Sequence, residues 1–293
     1  MPTLALLLVL TAALCHASWN LILKRSGGGN EMVLISALLV GLVWAPVALW
    51  QGWDTVPRFG ATEWAALAAS AVLHLVYFNC LLHGYRVSDL TVVYPVARGS
   101  GPLLSTLGAV LLLDEPLSVM GGVGALAVVA GVFLIAGGPA LLRQAHDPAR
   151  KARVLLGLRW GAITGACIAG YTVLDGYSVK ILLISPIVLD YLGNVLRIPV
   201  MLPLALRDPA GFRAAWRRQW RAALAVAVLG PASYVMVLYA MRLAPLSHVA
   251  PARELSMLFA ALAGGSLLGE GDRALRLLGA AFIALGVMGL ALG

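Results

Sequence analysis

The chain has 293 residues, of which 61% are apolar and only 12% are charged, and its mean hydropathy is +0.91. An average soluble domain carries roughly 25% charged residues, so this composition excludes an ordinary soluble domain. Several stretches without Asp, Glu, Lys or Arg approach the ~20 residues that a helix needs to cross a bilayer core of ~30 Å. Runs such as 128–136 show no alternation of apolar and polar residues, which excludes a transmembrane β-barrel.

The hydropathy pattern therefore predicts an all-α polytopic membrane protein with ten transmembrane helices. Some of the shorter apolar stretches count as spans because one or two ionisable residues are placed within the membrane. The longest connections, 138–156 and 207–220, are too short and polar to form domains, so we expect the function to reside within the membrane. The predicted spans are 3–23, 32–50, 61–82, 90–113, 117–137, 157–179, 183–206, 221–241, 246–268 and 275–292.

The 21 Lys and Arg residues are distributed unevenly among the predicted connections. Counted with the arginines at the starts of the spans that follow them (Arg159, Arg221 and Arg276), the odd-numbered connections hold fifteen, the even-numbered connections hold three, and three more lie deeper inside spans. Positively charged connections stay in the cytoplasm, so both termini are predicted to be periplasmic. The excess of Arg over Lys is typical of high-GC bacterial genomes, which indicates a bacterial inner membrane. Because the net charge of +8 belongs to these connections, no nucleic-acid partner is expected.

The two halves of the chain are related by an internal repeat. At a shift of 155 residues, Arg98 aligns with Arg253 and Glu115 aligns with Glu270, and both residue types are scarce in this sequence. Five spans per copy is an odd number, so the second copy must enter the membrane from the opposite side. Inverted repeats of this kind are an architecture of secondary transporters, with the binding site between the copies. The predicted repeats are residues 1–140 and 155–293.

Several motifs follow one another in the order of a known family. They are H-A-S-W-N-L-I-L-K (16–24), D-L-T-V-V-Y-P-V-A-R-G (89–99) and D-E-P-L-S (114–118), with P-L-S-H-V-A-P-A-R-E-L-S (245–256) and L-L-G-E (267–270) in the second half. The chain resembles the EamA family of the drug/metabolite transporter superfamily, including its aromatic amino-acid exporters of the YddG type. This resemblance implies ten helices in two inverted five-helix repeats, a central cavity, alternating access, and amino acids or other metabolites as substrates.

The expected function is thus a secondary transporter that exports aromatic or hydrophobic amino acids. An exporter of drugs or organic cations, a channel and an intramembrane enzyme are the alternatives. The chain lacks a Walker motif, H-E-x-x-H and G-x-S-G, so we expect no ATP hydrolysis and no enzyme activity. Its three cysteines are scattered within spans, and neither a metal nor a cofactor is expected. Membrane lipid and a small-molecule substrate are the expected partners, and a monomer and a homodimer are both compatible with the sequence.

Arg98 and Arg253 are the leading candidates for substrate binding. Both lie inside spans beside prolines, and an ionisable group at that depth needs a cavity or a partner. A guanidinium can bind a substrate carboxylate through two parallel hydrogen bonds. The alternative is structural: each Arg would donate to the backbone carbonyls that the neighbouring prolines leave unpaired.

Other polar and aromatic residues are predicted to share the site. Asp190, Asn194 and Arg197 lie on one stripe of the seventh span, and they either line the cavity or form a self-contained polar face. Asp175 is the other carboxylate at membrane depth, although it is near the end of its span and reaching the interface is the alternative. The predicted cavity residues are His16, Trp19, Asn20, His74, Tyr77, Tyr94, Arg98, Tyr171, Asp190, Asn194, Tyr234, His248 and Arg253.

Three further features are predicted to be structural. Glu115 and Glu270 precede the last helix of each repeat and are expected to cap it. Gly157, Gly161 and Gly165 recur every four residues and predict close packing against another helix. The fifth helix of each repeat is Gly-rich and uniformly apolar, so we expect it to lie at the periphery of the cavity.

Overall fold

The structure, a computed structural model, describes residues 1–26, 29–136, 151–263 and 273–293, and these residues contain helices and no strands. A short 3-10 turn, Val56–Arg58, precedes the fourth helix. The helices of the first half are α1 (Thr3–Arg25), α2 (Asn30–Val43), α3 (Ala45–Gly52), α4 (Ala61–Val87), α5 (Leu90–Leu112) and α6 (Val119–Ile135). Those of the second half are α7 (Lys151–Lys180), α8 (Pro186–Arg207), α9 (Pro209–Leu243), α10 (Leu246–Ala252), α11 (Leu255–Ala263) and α12 (Arg273–Leu292).

Five of the described helices are individually long and apolar enough to cross a membrane: α1, α4, α7, α8 and α9. The pair α2 and α3 forms a sixth candidate, bent by 53° at its break. Two more apolar helices, α6 and the Leu277–Leu292 part of α12, are shorter. The polytopic membrane fold is therefore confirmed, whereas the number of ten spans stays a prediction. Two predicted spans, 90–113 and 246–268, are not among these candidates. Helix α5 is less apolar because it carries Arg98 among prolines, and the ninth predicted span is divided into two short helices.

The lateral surface of the bundle is apolar, as a bilayer requires. Val119, Leu111 and Leu42 each expose more than two thirds of their surface, at 86%, 73% and 72%. In water such a surface would drive aggregation, but in a bilayer it contacts lipid hydrocarbon chains. The largest buried apolar cluster draws residues from both halves of the chain, including Val9 and Leu67 from the first and Leu238 and Ile283 from the second.

Helices α6 and α12 pack backbone against backbone through four glycines. A Cβ added at Gly124 would lie 2.6 Å from the carbonyl oxygen of Gly286, and one added at Gly131 would lie 2.5 Å from that of Gly279. The pairing order shows that the two helices are antiparallel. The repeat aligns Gly124 with Gly279 and Gly131 with Gly286, so exchanging the two halves converts one contact into the other. Two copies related by a two-fold axis have this property.

The glycines of α7 pack against α5, as their four-residue spacing predicts. A Cβ added at Gly161 would lie 2.7 Å from the Cβ of Val96 and 3.0 Å from the carbonyl oxygen of Val93. A Cβ added at Gly101 on α5 would in turn lie 2.8 Å from the Ile168 side chain. Small residues on both helices thus allow α5 of the first half and α7 of the second half to pack closely.

The ninth predicted span is interrupted, whereas its counterpart in the first half is continuous. Helix α5 runs unbroken past Pro95 and Pro102. Helix α10 ends at Ala252, directly after Pro251, and α11 begins at Leu255. Arg253 and Glu254 form the turn between them. The break places two charged residues inside the bundle, where free backbone groups and other polar side chains can meet them.

Candidate functional site

Most of the predicted cavity residues come together inside the bundle. They are carried by α1, α4, α5, α7, α8, α9 and the α10–α11 break, so both halves contribute. Several of them keep part of their surface accessible: His74, Arg98 and Arg253 expose 14%, 16% and 13% of their side chains. Polar groups that face one another and retain accessible surface are compatible with the predicted cavity, which stays a prediction. The residues that converge are His16, Trp19, His74, Tyr77, Tyr94, Arg98, Tyr171, Asp190, Asn194, Tyr234 and Arg253.

Arg98 is bound by a carboxylate of the protein itself. Its Nη2 atom lies 2.8 Å from Oε2 of Glu254, which exposes only 1% of its side chain, and 3.5 Å from the hydroxyl of Ser256. Neither Glu254 oxygen accepts an aligned hydrogen bond among the described residues, so the contact is electrostatic. A buried carboxylate is costly without an opposite charge, and this pair joins α5 to the helix break of the other half. Arg98 therefore neutralises Glu254 before any substrate arrives.

Arg253 keeps its hydrogen-bond donors free. Its Nε atom is 3.7 Å from Oε1 of Glu254, and it donates no hydrogen bond to any described residue. The guanidinium carbon lies 6.0 Å from the ring centroid of Tyr171, at the limit of a cation–π contact. Of the two arginines that the repeat relates, Arg253 is thus the one able to bind an incoming anion.

Asp175 lies at the centre of an aromatic cluster. The hydroxyl of Tyr234 donates a hydrogen bond of 2.5 Å to Oδ2 of Asp175, and Nε2 of His74 is 4.0 Å from the same oxygen. The His74 ring stacks on Tyr171 with 4.0 Å between centroids, and Tyr77 meets Tyr171 edge-on at 5.7 Å.

Of the two alternatives for Asp175, the structure favours the interior of the bundle, because its side chain is 1% exposed. Its position near the end of a span is compatible with the interface, but the side chain turns inward between α4 and α9. One signal in the sequence could have shown this. Asp175 follows Tyr171 by four residues, so the two lie on the same face of α7.

The stripe on α8 forms a second polar group of the site. The amide of Asn194 donates to Oδ2 of Asp190 at 3.1 Å and to its backbone oxygen at 2.9 Å. Arg197 lies within electrostatic range of both Asp190 and Asp175, and its Nε is buried without a hydrogen-bond partner among the described residues. The guanidinium of Arg197 is therefore shared between two carboxylates rather than committed to one.

Two predicted cavity residues lie apart from this cluster. His248 packs beside α6, where a Cβ added at Gly121 would lie 2.9 Å from its Nε2, and it is close to Leu290 of α12. Asn20 is exposed and donates to the backbone oxygen of His16 on its own helix, at 2.8 Å. The structure thus does not bring His248 and Asn20 together with the arginines and tyrosines.

Glu115 caps a helix of the opposite half. Its carboxylate accepts hydrogen bonds from the amides of Leu246 (2.8 Å) and Ser247 (2.9 Å), from the Ser247 hydroxyl (3.0 Å), and from the ammonium of Lys180. We call these four residues the Glu115 clasp. The prediction that Glu115 caps α6 is wrong, because Ser118 performs that role. The clasp instead ties the connection after α5 to the start of α10 and the end of α7.

A sharp turn directs Glu115 toward α10. Asp114 adopts a left-handed backbone conformation with φ of 50°, which Asp tolerates better than most residues, and the amide of Glu115 returns to the carbonyl of Ala109 at 3.2 Å. Burial raises the pKa of Glu115, but the hydrogen bonds from Lys180 and the α10 amides outweigh it and hold the pKa below its ordinary value. The matching prediction for Glu270 lies outside the described residues.

Comparison with known proteins supplies the family. The model of the EamA-like transporter family matches residues 3–137 and again residues 155–292. The chain belongs to the EamA-like transporter family. Two copies of the family repeat cover it, and membership makes it a membrane transporter of small metabolites rather than an enzyme.

A solved structure described as "Crystal structure of protein" is similar to this EamA-like transporter over 98% of this chain and 97% of the other. Its TM-score is 0.75 and its sequence identity is 17%, so the likeness establishes a shared fold and nothing finer. No protein with a curated description matches the chain.

Proposed function

We propose that this EamA-like transporter exports amino acids with aromatic or hydrophobic side chains by alternating access. The observation that carries the proposal is the guanidinium of Arg253, which donates no hydrogen bond to a described residue and lies over the ring of Tyr171, itself edge-on to Tyr77. A substrate carboxylate can pair with the guanidinium, and an apolar side chain can contact the rings. Trp19, edge-on to His16 at 4.9 Å, adds a further aromatic surface. The same combination supports a substrate range like that of the YddG type.

The charge balance of the site also favours a zwitterion. Three guanidinium groups face three carboxyl groups, so the site is close to neutral when all are ionised. A ligand with one positive and one negative group leaves this balance unchanged, whereas a net ion must be compensated at a cost of several kcal/mol. The six groups are those of Arg98, Arg197, Arg253, Asp175, Asp190 and Glu254.

Alternating access is supported by the arrangement of the two halves. The antiparallel α6–α12 pair and the exchange of its glycine contacts are what inverted repeats would produce. Under the proposed ten-span topology, both termini lie in the periplasm and the membrane is the bacterial inner membrane. Two similar halves packed in opposite directions can adopt two mirrored arrangements, one open to each side, around the shared site.

The test compares arginine variants in counterflow of labelled amino acids into liposomes that contain purified protein. Arg253→Ala should weaken substrate affinity by roughly 10- to 150-fold, since a charge-assisted hydrogen bond contributes about 1.5–3 kcal/mol. Arg253→Lys should be intermediate, because Lys keeps the charge but loses the planar fork. Arg58→Ala removes an exposed arginine and serves as the matched control.

Arg98→Ala should behave differently from Arg253→Ala. It leaves the buried Glu254 without its closest cation, so the folded yield and melting temperature should fall first. Binding and thermal stability are measured on the same preparations. If Arg253→Ala binds amino acids with wild-type affinity and only melts earlier, the carboxylate site is wrong.

Export of organic cations is the second candidate. Asp190 is half-buried and Asp175 has one oxygen without a partner among the described residues, so the site could also attract a cation. The same counterflow assay separates the two, because a cation exporter would exchange organic cations and show no exchange of aromatic amino acids.

A further inference from the structure

Asp175 is a carboxyl group without a dedicated cation. Glu254 has Arg98 at 2.8 Å, but no Lys or Arg nitrogen among the described residues lies within 4 Å of Asp175. Its Oδ2 accepts the hydrogen bond from Tyr234, and its Oδ1 is buried with no hydrogen-bond partner in the part of the chain that the structure describes. An ionised carboxylate has room for about four hydrogen bonds, so Asp175 is poorly satisfied as an ion. As a neutral acid it could carry a hydrogen on Oδ1 while Oδ2 still accepts from Tyr234.

His74 presents an unprotonated nitrogen to this carboxyl group. Its Nδ1 lies 2.9 Å from the carbonyl oxygen of Ser70, and a carbonyl can only accept, so Nδ1 carries the ring hydrogen. Nε2 of the neutral ring then keeps its lone pair and faces Oδ2 of Asp175 at 4.0 Å. The Ser70 hydroxyl is within reach of Asp175 and lies 3.4 Å from Nδ1 of His74. A proton leaving Oδ1 of Asp175 can therefore reach this acceptor through one bridging water or a rotation of the carboxyl group.

The groups around Asp175 favour its two forms in opposite directions. Burial favours the neutral acid, because a charge without close partners is costly inside the bundle. The hydroxyl of Tyr234 on α9 and the charges of Arg197 on α8 and Arg253 at the α10–α11 break favour the carboxylate. Among the described residues, α4 presents the neutral ring of His74 and the hydroxyl of Ser70 to Asp175, and α8 adds the like charge of Asp190, which favours the neutral acid. A carboxyl group that exchanges a proton needs opposing influences of this kind.

We infer that Asp175 is a proton-binding site, and that its proton and the ammonium group of the substrate bind in competition. This inference rests on the proposed function, since it takes an amino acid as the substrate. Each transport cycle would then carry one substrate molecule outward and one proton inward. A zwitterion has no net charge, so the exchange would also move one positive charge into the cell.

Arg197 is the group that makes the two ligands exclude each other. Its charge acts on both Asp190 and Asp175. Asp190 is half-buried and accessible, so the ammonium group of the substrate can pair with it and take over part of the neutralisation that Arg197 provides at longer range. The charge of Arg197 then favours the ionised form of Asp175, and the proton leaves. When the substrate departs, Arg197 again acts on both carboxyl groups and Asp175 can take up a proton.

The experiment uses the full-length protein in liposomes with two readouts for one labelled aromatic amino acid. Counterflow at equal pH on both sides reports substrate exchange, which needs no net proton movement. Accumulation into liposomes with an acidic lumen reports coupling, because protons leaving the lumen should drive substrate in. Wild-type protein should do both, and a protonophore should abolish accumulation alone.

Asp175→Asn should lose accumulation, and because its neutral side chain mimics the protonated acid, its counterflow should show a lower substrate affinity that no longer depends on pH. Asn has nearly the same shape and its oxygen can still accept from Tyr234, but it cannot bind the proton. Asp54→Asn changes an exposed carboxyl group that has no contact in the described structure, and it should retain both activities. Accumulation by Asp175→Asn at the wild-type level would overturn the inference. Counterflow by Asp175→Asn that varies with pH as in the wild type would do the same, because another group would then bind the proton.

If Asp175→Asn folds poorly, a measurement on the wild-type protein alone tests the inference independently. Adding substrate to concentrated protein in weakly buffered detergent solution should release protons that a pH-sensitive dye detects. No release, or accumulation driven by an alkaline lumen, would overturn the inference. Absence of amino-acid counterflow in the wild type would instead refute the proposed function, so the two failures are distinguishable.

Discussion

The Glu115 clasp gives a stability prediction that the geometry defines closely. Glu115→Gln keeps the size of the side chain and one acceptor oxygen, but it removes the charge and replaces the other oxygen with an NH₂ group. That group would face either the Leu246 amide and the Lys180 ammonium, or the amide and the hydroxyl of Ser247, and only the hydroxyl can accept a hydrogen bond. At least one hydrogen bond to the carboxylate is therefore lost, the others lose their charge, and one donor is left opposite another.

The expected loss follows from the exposure of the two charged groups. A hydrogen bond to a charged group contributes about 1.5–3 kcal/mol when it is shielded from water. Lys180 exposes 24% of its side chain, so solvent weakens its ion pair with Glu115. Glu115 itself exposes only 8%, so its hydrogen bonds to α10 are better shielded. Together these bonds give a destabilisation of about 2–3 kcal/mol, or a melting temperature lower by roughly 4–8 °C. Lys180→Met leaves the three hydrogen bonds to α10 in place and should cost about 1 kcal/mol.

The assay is thermal unfolding of the wild type, both single variants and the double variant in one detergent. The double variant should melt close to Glu115→Gln, because the second change removes a cation that has already lost its partner. The pKa of Glu115 is depressed in the folded state, so its contribution is complete above the ordinary carboxyl range and is lost as the pH falls through the depressed value. The difference between wild type and Glu115→Gln should therefore disappear in acid. A difference that persists unchanged at low pH, or strictly additive single changes, would refute the reasoning.

Two further predictions concern the packing of α6 and the topology. Gly124→Ala should reduce the folded yield strongly, because the new methyl group would meet the backbone oxygen of Gly286 at 2.6 Å; Gly230→Ala, with no atom within 4 Å, should be tolerated. Equal yields of the two variants in detergent extracts would contradict the close helix contact. A periplasm-dependent reporter fused after Gly293 should be active, and activity of a cytoplasm-dependent reporter at that position would refute the predicted orientation.

The sequence predicts the membrane fold and the family well because both depend on local patterns. Long apolar segments, the recurrence of Arg98 as Arg253, and the four-residue spacing of the α7 glycines each express a constraint within one helix. The exact number of spans is harder to predict. The polar composition of α5 and the break after Pro251 arise from contacts inside the bundle, where hydropathy alone no longer identifies a membrane helix.

The site is less predictable because its key contacts join distant parts of the chain. The partners of Asp175 are His74 and Tyr234, which are 101 and 59 positions away, and no spacing rule connects them. The sequence predicts that Glu115 caps the helix that follows it, because a sequence shows only which helix ends are neighbours along the chain. The i, i+4 pair of Asp190 and Asn194 was predictable, and the structure contains its hydrogen bond.

The glycine contacts between α6 and α12 restrict how this protein can evolve. After a duplication, two copies usually diverge freely, each accepting changes that the other does not share. Here Gly124 of one copy lies against the backbone at Gly286 of the other, and Gly131 lies against the backbone at Gly279. A larger side chain at any of the four positions would clash with main-chain atoms. A second substitution changes only a side chain, so it cannot relieve that clash. Drift at these sites is therefore blocked in both copies at once, and relatives with this helix pair should keep all four glycines even where the substrate-facing residues have become unrecognisable.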